Sequence, residues 1–149
     1  MTLDNETNFM LFEPGERRTT AESQEKAIES FLTSSSKVMF VAESGEQLMG
    51  FVVGIGNTLN RNKHSMYCVI GIRKQAGGKG LGSRLMFELE TWARAHSFTR
   101  LELTVMAHNE PAKRLYLAQG FEIEGTKRNS LRVDGEYVDE LYMSKLCAE

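Results

Sequence analysis

A glycine-rich segment, Gly77-Gly78-Lys79-Gly80-Leu81-Gly82, lies between a run typical of a β-strand and a run typical of an α-helix. Glycine allows the backbone to approach a bound anion closely and to adopt dihedral angles that other residues avoid. The free N–H groups and the positive dipole end of the following helix attract the same kind of ligand. Lys79, and Lys74 upstream, add positive charge. The segment suits a pyrophosphate group, although similar segments also occur as plain strand-to-helix turns.

The two common nucleotide-binding motifs do not match this segment. A Walker A loop requires Gly-x-x-x-x-Gly-Lys followed by Ser or Thr, and the chain contains no such string. A dinucleotide fingerprint requires an acidic residue about twenty positions further on, at the end of a strand. Glu102 occupies that distance but lies inside a predicted strand. Both nucleotide interpretations are therefore weak.

A second pattern with chemical potential joins Asn109 and Tyr116. Seven helical steps of about 100° return almost to the starting azimuth, so both side chains can face one cleft about 10 Å apart along the axis. A phenol in such a cleft can donate a proton to a leaving thiolate. A tyrosine that only packs in the core is the alternative that this spacing leaves open.

Helices and strands must position these residues, and segments with the periodicity of each alternate along the chain. Asn109 can cap the third predicted helix and Gly120 can end it, while Asp134-Gly135 predicts a β-hairpin turn. Apolar residues at spacings of three and four predict helices over 20–32, 79–96 and 110–119. Alternating or continuous apolar runs predict strands over 38–42, 48–59, 65–72, 101–105, 121–126 and 137–146, and a short apolar piece over 9–12.

This order predicts an α/β (α+β) domain with a mixed, mostly antiparallel sheet. The strand–helix–strand unit over 65–105 should add one parallel pairing. The continuous apolar run over 66–70 predicts a strand that is buried on both faces.

The composition is that of a globular domain. Of 149 residues, 41% are hydrophobic and 26% charged, and the net charge is −2. This balance excludes a disordered chain and gives no basic bias of the kind seen in general nucleic-acid binders. The polar N-terminus lacks the pattern of a signal peptide and no apolar run approaches a membrane span, so the cytoplasm is the expected location. Cys68 is expected to be buried and Cys147 exposed, with neither a disulfide nor a metal-ligand spacing.

Taken together, two stretches resemble the GNAT N-acetyltransferase superfamily. The segment from Val69 through Gly78-Lys79-Gly80-Leu81-Gly82-Ser83 is similar to its cofactor motif. The segment from Leu101 through Asn109, Leu115-Tyr116 and Gly120-Phe121 is similar to its second motif. The resemblance implies a mixed sheet whose central strands splay apart and hold acetyl-CoA between them. It also implies a single domain over 1–149 in which the N-terminal strand and helix are shortened, since only eight residues precede Phe9.

The resemblance further assigns roles to individual residues. Ile70 and Ile72 would pair through their backbone with the pantetheine arm of acetyl-CoA, Asn109 would contact the cofactor, and Tyr116 would be the general acid. The pyrophosphate would be held by Gly77, Gly78, Lys79, Gly80, Leu81, Gly82 and Ser83. No metal is implied.

The chain departs from the family pattern at two kinds of position within these motifs. Gly77 stands where relatives usually carry Arg or Gln, so binding should depend on backbone N–H groups and nearby lysines. Neither Thr104 nor the strand over 65–72 supplies the glutamate base that some relatives carry. A water relay to Glu102, Glu140 or Glu13 is one expectation, and a surface salt bridge is the alternative role of each glutamate.

The predicted function is direct transfer of an acetyl group from acetyl-CoA to a primary amine of a small molecule. A backbone N–H near Ile70 would polarise the thioester carbonyl. A ribosomal-protein-type N-terminal acetyltransferase and a non-catalytic acetyl-CoA-binding module are the alternatives. Lys127-Arg128 and Arg132 either meet a phosphate or an acidic substrate, or form a solvated hairpin face. The resemblance also suggests a homodimer, and no nucleic-acid or membrane partner is expected.

Overall fold

The computed structural model describes residues 21–78 and 80–147. The predicted strand over 9–12, Glu13 and Lys79 lie outside these residues. The helices are α1 (Ala21–Thr33), α2 (Leu81–Ala95) and α3 (Glu110–Ala118), and a short 3-10 turn spans Lys74–Ala76. The strands are β1 (Lys37–Ser44), β2 (Gln47–Gly56), β3 (Ser65–Ile72), β4 (Arg100–Met106), β5 (Glu122–Val133) and β6 (Glu136–Leu146).

The strands form one mixed sheet in the order β1-β2-β3-β4-β6-β5. Every neighbouring pair is antiparallel except β3 and β4, which are parallel and are connected through α2. The predicted fold class and the single parallel pairing over 65–105 are confirmed. No helix within 21–78 and 80–147 has the length and apolar character needed to cross a bilayer.

The parallel strands β3 and β4 pair at one end only. Their register covers Ser65 with Arg100, Met66 with Leu101, and Tyr67 with Glu102. Beyond these three pairs the strands diverge, while β4 stays paired with β6 up to Met106. A V-shaped opening therefore separates residues 68–72 of β3 from residues 103–106 of β4, as the resemblance implies.

The hydrophobic core lies on one face of the sheet, under α2 and α3. On β3, Met66 and Cys68 point into this core, whereas Tyr67 and Val69 are each 37% exposed. The expectation that this strand is buried on both faces is therefore wrong. Successive side chains of a strand point to opposite faces. The face that carries Tyr67 and Val69 borders the opening rather than the helices.

Two further expectations need correction at the C-terminal end. The strand predicted to stop near residue 126 continues to Val133, and it stays paired with β6 on both sides of two shifts in register. Cys147 is buried rather than exposed. Its N–H donates to the Thr99 carbonyl at 2.8 Å, which holds Cys147 against the core. The Asp134-Gly135 turn is confirmed, with φ values of 51° and 82° that suit a tight hairpin.

Gly56 marks a close approach, and replacing it with alanine should destabilise the fold. An added Cβ would lie 2.5 Å from Cζ of Phe98 and 2.8 Å from the Ser36 carbonyl oxygen. Overpacking of this kind costs about 1–3 kcal/mol. Gly125→Ala is the matched control, since its Cβ would meet only Tyr142, at 3.9 Å. Urea unfolding should give a lower midpoint for Gly56→Ala than for Gly125→Ala, and equal midpoints would contradict the prediction.

Candidate active site

A cleft of about 1250 Å³ occupies the opening between β3 and β4. It is bordered by these two strands, by the glycines of the segment over 77–82 (the glycine loop), by the start of α2 and by α3. β5 and β6 each contribute one residue. Sites for one small molecule usually measure roughly 300–1,000 Å³. The cleft therefore has room for a long ligand and a second, smaller one.

The cleft collects the residues that the sequence singles out for acetyl-CoA. Of the residues predicted to bind acetyl-CoA, those that line the cleft are Ile70, Ile72, Gly77, Gly78, Gly80, Leu81, Gly82, Ser83, Asn109 and Tyr116. Lys79 lies outside the described residues. The structure thus brings the two motifs together, and the individual binding roles remain predictions.

The glycine loop presents its backbone to the cleft. Gly78 and Gly80 have positive φ values of 74° and 77°, and a Cβ added at either would meet nothing within 4 Å. Gly80 is the N-cap of α2, and no side chain caps the helix there. The first-turn N–H groups of a helix have no intrahelical partners, so they are available to an anion. The N–H of Gly77 is already engaged, because it donates to the Lys74 carbonyl at 3.2 Å.

Positive charge reaches the cleft from two elements. Lys74 lines it just before the loop, and Arg114 lines it from α3. A Cβ on Gly82 would lie 2.8 Å from Cδ2 of Leu115, which shows how closely α3 packs on the start of α2. This packing places Arg114 beside the cleft. The sequence carries no signal for it, since five residues from Asn109 do not complete whole helical turns.

Asn109 and Tyr116 are fixed by the ends of α3. The Asn109 side chain accepts a hydrogen bond from the Ala112 N–H at 3.3 Å, which confirms the predicted cap. Tyr116 is 7% exposed and packs against Phe121 with ring centroids 5.9 Å apart. Its hydroxyl makes no hydrogen bond within the described part of the chain. Burial raises the pKa of the Tyr116 phenol, so the group stays protonated and can donate.

The Cys68 thiol shows how burial in this cleft affects the ionisation of a sulfur group. Cys68 lines the same cleft, and burial raises its pKa to about 12. A thiolate released nearby would be destabilised in the same way, because desolvation disfavours every anion. A buried phenol with a raised pKa can therefore still protonate a thiolate that forms beside it.

The two cysteines should resist thiol reagents in the folded protein. Burial raises the pKa of Cys68 to about 12 and, as the largest of several causes, raises that of Cys147. Only the thiolate reacts rapidly, so Ellman's reagent near pH 8 should modify both residues slowly in the native protein and quickly in guanidinium chloride. Absorbance of the released chromophore measures this directly. Rapid modification of native protein would contradict the prediction.

Two hydroxyl groups face each other where the strands begin to diverge. The Tyr67 hydroxyl and the Thr104 Oγ1 lie 2.9 Å apart, and both residues line the cleft. Sequence reasoning missed Tyr67, because the parallel register that brings it to Thr104 depends on tertiary structure. Glu102 is ion-paired with Arg100 at 3.0 Å and does not line the cleft, whereas Glu140 does. Of the two predicted relay residues that the structure describes, Glu140 lies at the cleft and Glu102 does not.

A family model described as "Acetyltransferase (GNAT) family" matches residues 3–121. The chain therefore belongs to the acetyltransferase (GNAT) family, and the acyltransferase class predicted from the two motifs is confirmed at the level of the family. Within the described residues, no group of three or more His, Cys, Asp or Glu side chains could hold a metal ion.

Two similar proteins support the family, and a third supports its fold. The L-amino acid N-acetyltransferase AaaT of Escherichia coli is 42% identical over 72 residues, which cover 46% of this chain and 43% of AaaT. The solved acetyltransferase of the GNAT family from Streptococcus pneumoniae has a TM-score of 0.93 at 28% identity, covering 99% of this chain and 88% of that one. The structure of yncA from Salmonella typhimurium contains its cofactor acetyl-CoA; it has a TM-score of 0.82 at 17% identity, covering 90% and 78%.

Proposed function

We propose that this protein transfers the acetyl group of acetyl-CoA directly to the primary amine of a small molecule. One observation carries the proposal: the glycine loop, the unpaired edge of β3 and the buried phenol of Tyr116 meet in one cleft. The loop offers backbone N–H groups to the pyrophosphate, and Lys74 and Arg114 add charge. Acetyl-CoA would then extend along β3 beside Ile70 and Ile72, with its thioester near Tyr116.

The reaction follows from this arrangement. The acceptor first loses its ammonium proton to solvent, and the neutral amine then attacks the thioester carbonyl, so that a C–N bond forms and the C–S bond breaks. The nitrogen gives up a second proton to solvent, which offsets the proton that sulfur receives and from which the tyrosine is reprotonated. A backbone N–H near Ile70 polarises the carbonyl oxygen, and Tyr116 gives its proton to the departing sulfur. The raised pKa keeps the Cys68 thiol protonated, so this sulfur is a poor nucleophile. That property favours direct transfer over a covalent acyl-enzyme.

A relative whose name specifies L-amino acids supports a small-molecule acceptor. The match spans less than half of that relative's length, so substrate and activity remain proposals. We also propose that residues 1–149 form one domain and that the chain forms a homodimer, both from the family resemblance. A ribosomal-protein-type N-terminal acetyltransferase and a non-catalytic acetyl-CoA binder are the competing functions.

A thiol-release assay with acetyl-CoA and an amine panel separates these functions. The panel contains amino acids, polyamines, and a peptide with a free N-terminal alanine. The proposal expects turnover with small amines and none, or much less, with the peptide. Preference for the peptide would favour the ribosomal-protein alternative. Calorimetric binding of acetyl-CoA without turnover of any amine would favour the non-catalytic binder and overturn the proposal.

A further inference from the structure

Glu140 is the acidic side chain that lines the cleft in the part of the chain that the structure describes. It lies on β6, level with Met106 of β4 on one side and with Lys127 of β5 on the other. Its side chain is only 13% exposed. Removing a carboxylate from water is costly unless partners compensate, so this placement differs from the surface salt bridge considered from the sequence.

The contacts of Glu140 fall on one oxygen. Lys127 Nζ lies 3.5 Å from Oε1, and the Ser130 hydroxyl donates to the same oxygen at 2.9 Å. Oε2 has no partner among residues 21–78 and 80–147. Close charge-assisted hydrogen bonds measure roughly 2.7–2.9 Å, so the pair with Lys127 is loose. One oxygen of Glu140 is therefore available to a cationic group in the cleft. Lys127 does not line the cleft itself but lies beside Glu140, and its Nζ is also 5.7 Å from the centroid of the Tyr142 ring.

The backbone of β5 holds these side chains in place. Its pairing with β6 shifts register between Lys127 and Leu131. Within the bulge, Asn129 has a φ of 50°, and its N–H donates to Oδ1 of Asp139 at 2.7 Å. Bulges redirect side chains and occur frequently beside active sites. This one places Ser130 on Glu140 and Leu131 in the lining of the cleft.

Glu140 and Tyr116 belong to opposite faces of the sheet. Leu141 and Met143 pack with the core, so strand alternation directs Glu140 to the other face. Tyr116 lies in the core on the α3 side. The opening between β3 and β4 connects the two faces. An amine held at Glu140 would thus approach a thioester from the side opposite to the proton donor.

The charged residues at the cleft indicate which class of amine it can bind. The described charged residues that line the cleft are Lys74, Arg114 and Glu140, a set poorly suited to a polyamine, which needs several carboxylates. A simple ammonium ion at Glu140 would crowd Lys127 with a like charge. An acceptor that also carries a carboxylate supplies Lys127 with a partner of its own. The charges of Glu140, the ammonium group, the carboxylate and Lys127 then alternate in sign.

We infer that Glu140 and Lys127 form the acceptor site, with Glu140 binding the ammonium group and Lys127 the carboxylate of an amino-acid-like substrate. The inference rests on the proposed function. Ser130 holds Glu140 Oε1 in place, which leaves Oε2 for the ammonium group. The ammonium group and the carboxylate of an α-amino acid are bonded to the same carbon, so one molecule can reach both side chains of this pair.

The test compares common L-amino acids with their carboxamides at saturating acetyl-CoA. Wild-type protein should favour the best amino acid over its carboxamide by about tenfold or more in kcat/KM, since the carboxamide lacks the charge that Lys127 binds. Glu140→Gln should raise KM for the amino acid by about 10- to 100-fold and leave KM for acetyl-CoA unchanged. Lys127→Met should remove most of the preference for the acid, so that the ratio of kcat/KM for the amino acid to that for its carboxamide falls toward one.

Glu88→Gln is the matched control, because Glu88 pairs with Arg84 at 3.2 Å on the exposed side of α2. Thermal unfolding of each variant checks that the fold is retained. Equal use of acid and carboxamide by wild-type protein, or an unchanged acceptor KM in Glu140→Gln, would overturn the inference and leave the proposed function intact. Absence of turnover with every amine would overturn both.

Discussion

Replacement of Tyr116 by phenylalanine should lower kcat for acetyl transfer by about 100- to 10,000-fold, the usual contribution of a general acid. The reason is that the departing sulfur would lose its proton donor. The ring itself would stay in place against Phe121, and the hydroxyl makes no hydrogen bond within the described residues whose loss could disturb the fold. Steady-state release of coenzyme A measures the effect, and calorimetry should give an unchanged Kd for acetyl-CoA.

Tyr137→Phe is the control for this experiment, since Tyr137 is 64% exposed on β6 and does not line the cleft. It should retain full activity. If Tyr116→Phe turns over at the wild-type rate, Tyr116 is a packing residue and the general-acid role fails. If its Kd for acetyl-CoA rises as much as kcat falls, the tyrosine shapes the binding site instead of donating a proton.

Gly80→Asp should weaken acetyl-CoA binding by about 10- to 100-fold, because a carboxylate would stand where the pyrophosphate is expected. The new side chain has open space, since a Cβ at Gly80 meets no atom within 4 Å. Asp is among the preferred N-cap residues and tolerates positive φ better than most residues, so α2 should persist. Calorimetric titration with acetyl-CoA gives the Kd.

Gly80→Asn separates charge from shape in this prediction. Asn matches Asp in size and also tolerates positive φ, so both variants carry the same steric change. The Asn variant should bind acetyl-CoA clearly better than the Asp variant, and the gap should narrow as salt rises. Equal affinity of wild type and Gly80→Asp would remove the pyrophosphate from this loop. Equal weakening in both variants would assign the effect to backbone distortion.

Much of the fold could be predicted from local patterns. The bounds of β3 agree with those predicted from its continuous apolar run, and the Asn109 cap and the Asp134-Gly135 turn follow from local chemistry. The end of β5 was missed, because a bulge depends on the partner strand. The burial of Cys147 was missed for a similar reason, since residues distant in sequence cover it.

In the candidate site, too, some residues could be predicted from local patterns and others could not. The glycine loop, Asn109 and Tyr116 could be found because each depends on residue type at a short, defined spacing. Arg114, the contact between Tyr67 and Thr104, and the placement of Glu140 could not. Each of these depends on how separate elements pack, and no local pattern encodes that relation.

The sequence by itself determined which elements form and which chemistry they can carry, because helix and strand periodicity, caps, turns and the glycine loop are local properties of the chain. The tertiary structure decided where the sheet opens, since only the short parallel register between β3 and β4 leaves their remaining backbone apart. That opening turns the glycine loop from an ordinary strand-to-helix turn into one wall of a cleft. It also brings Glu140 and Tyr116 to the cleft from opposite faces of the sheet, a relation set by strand order and pleat.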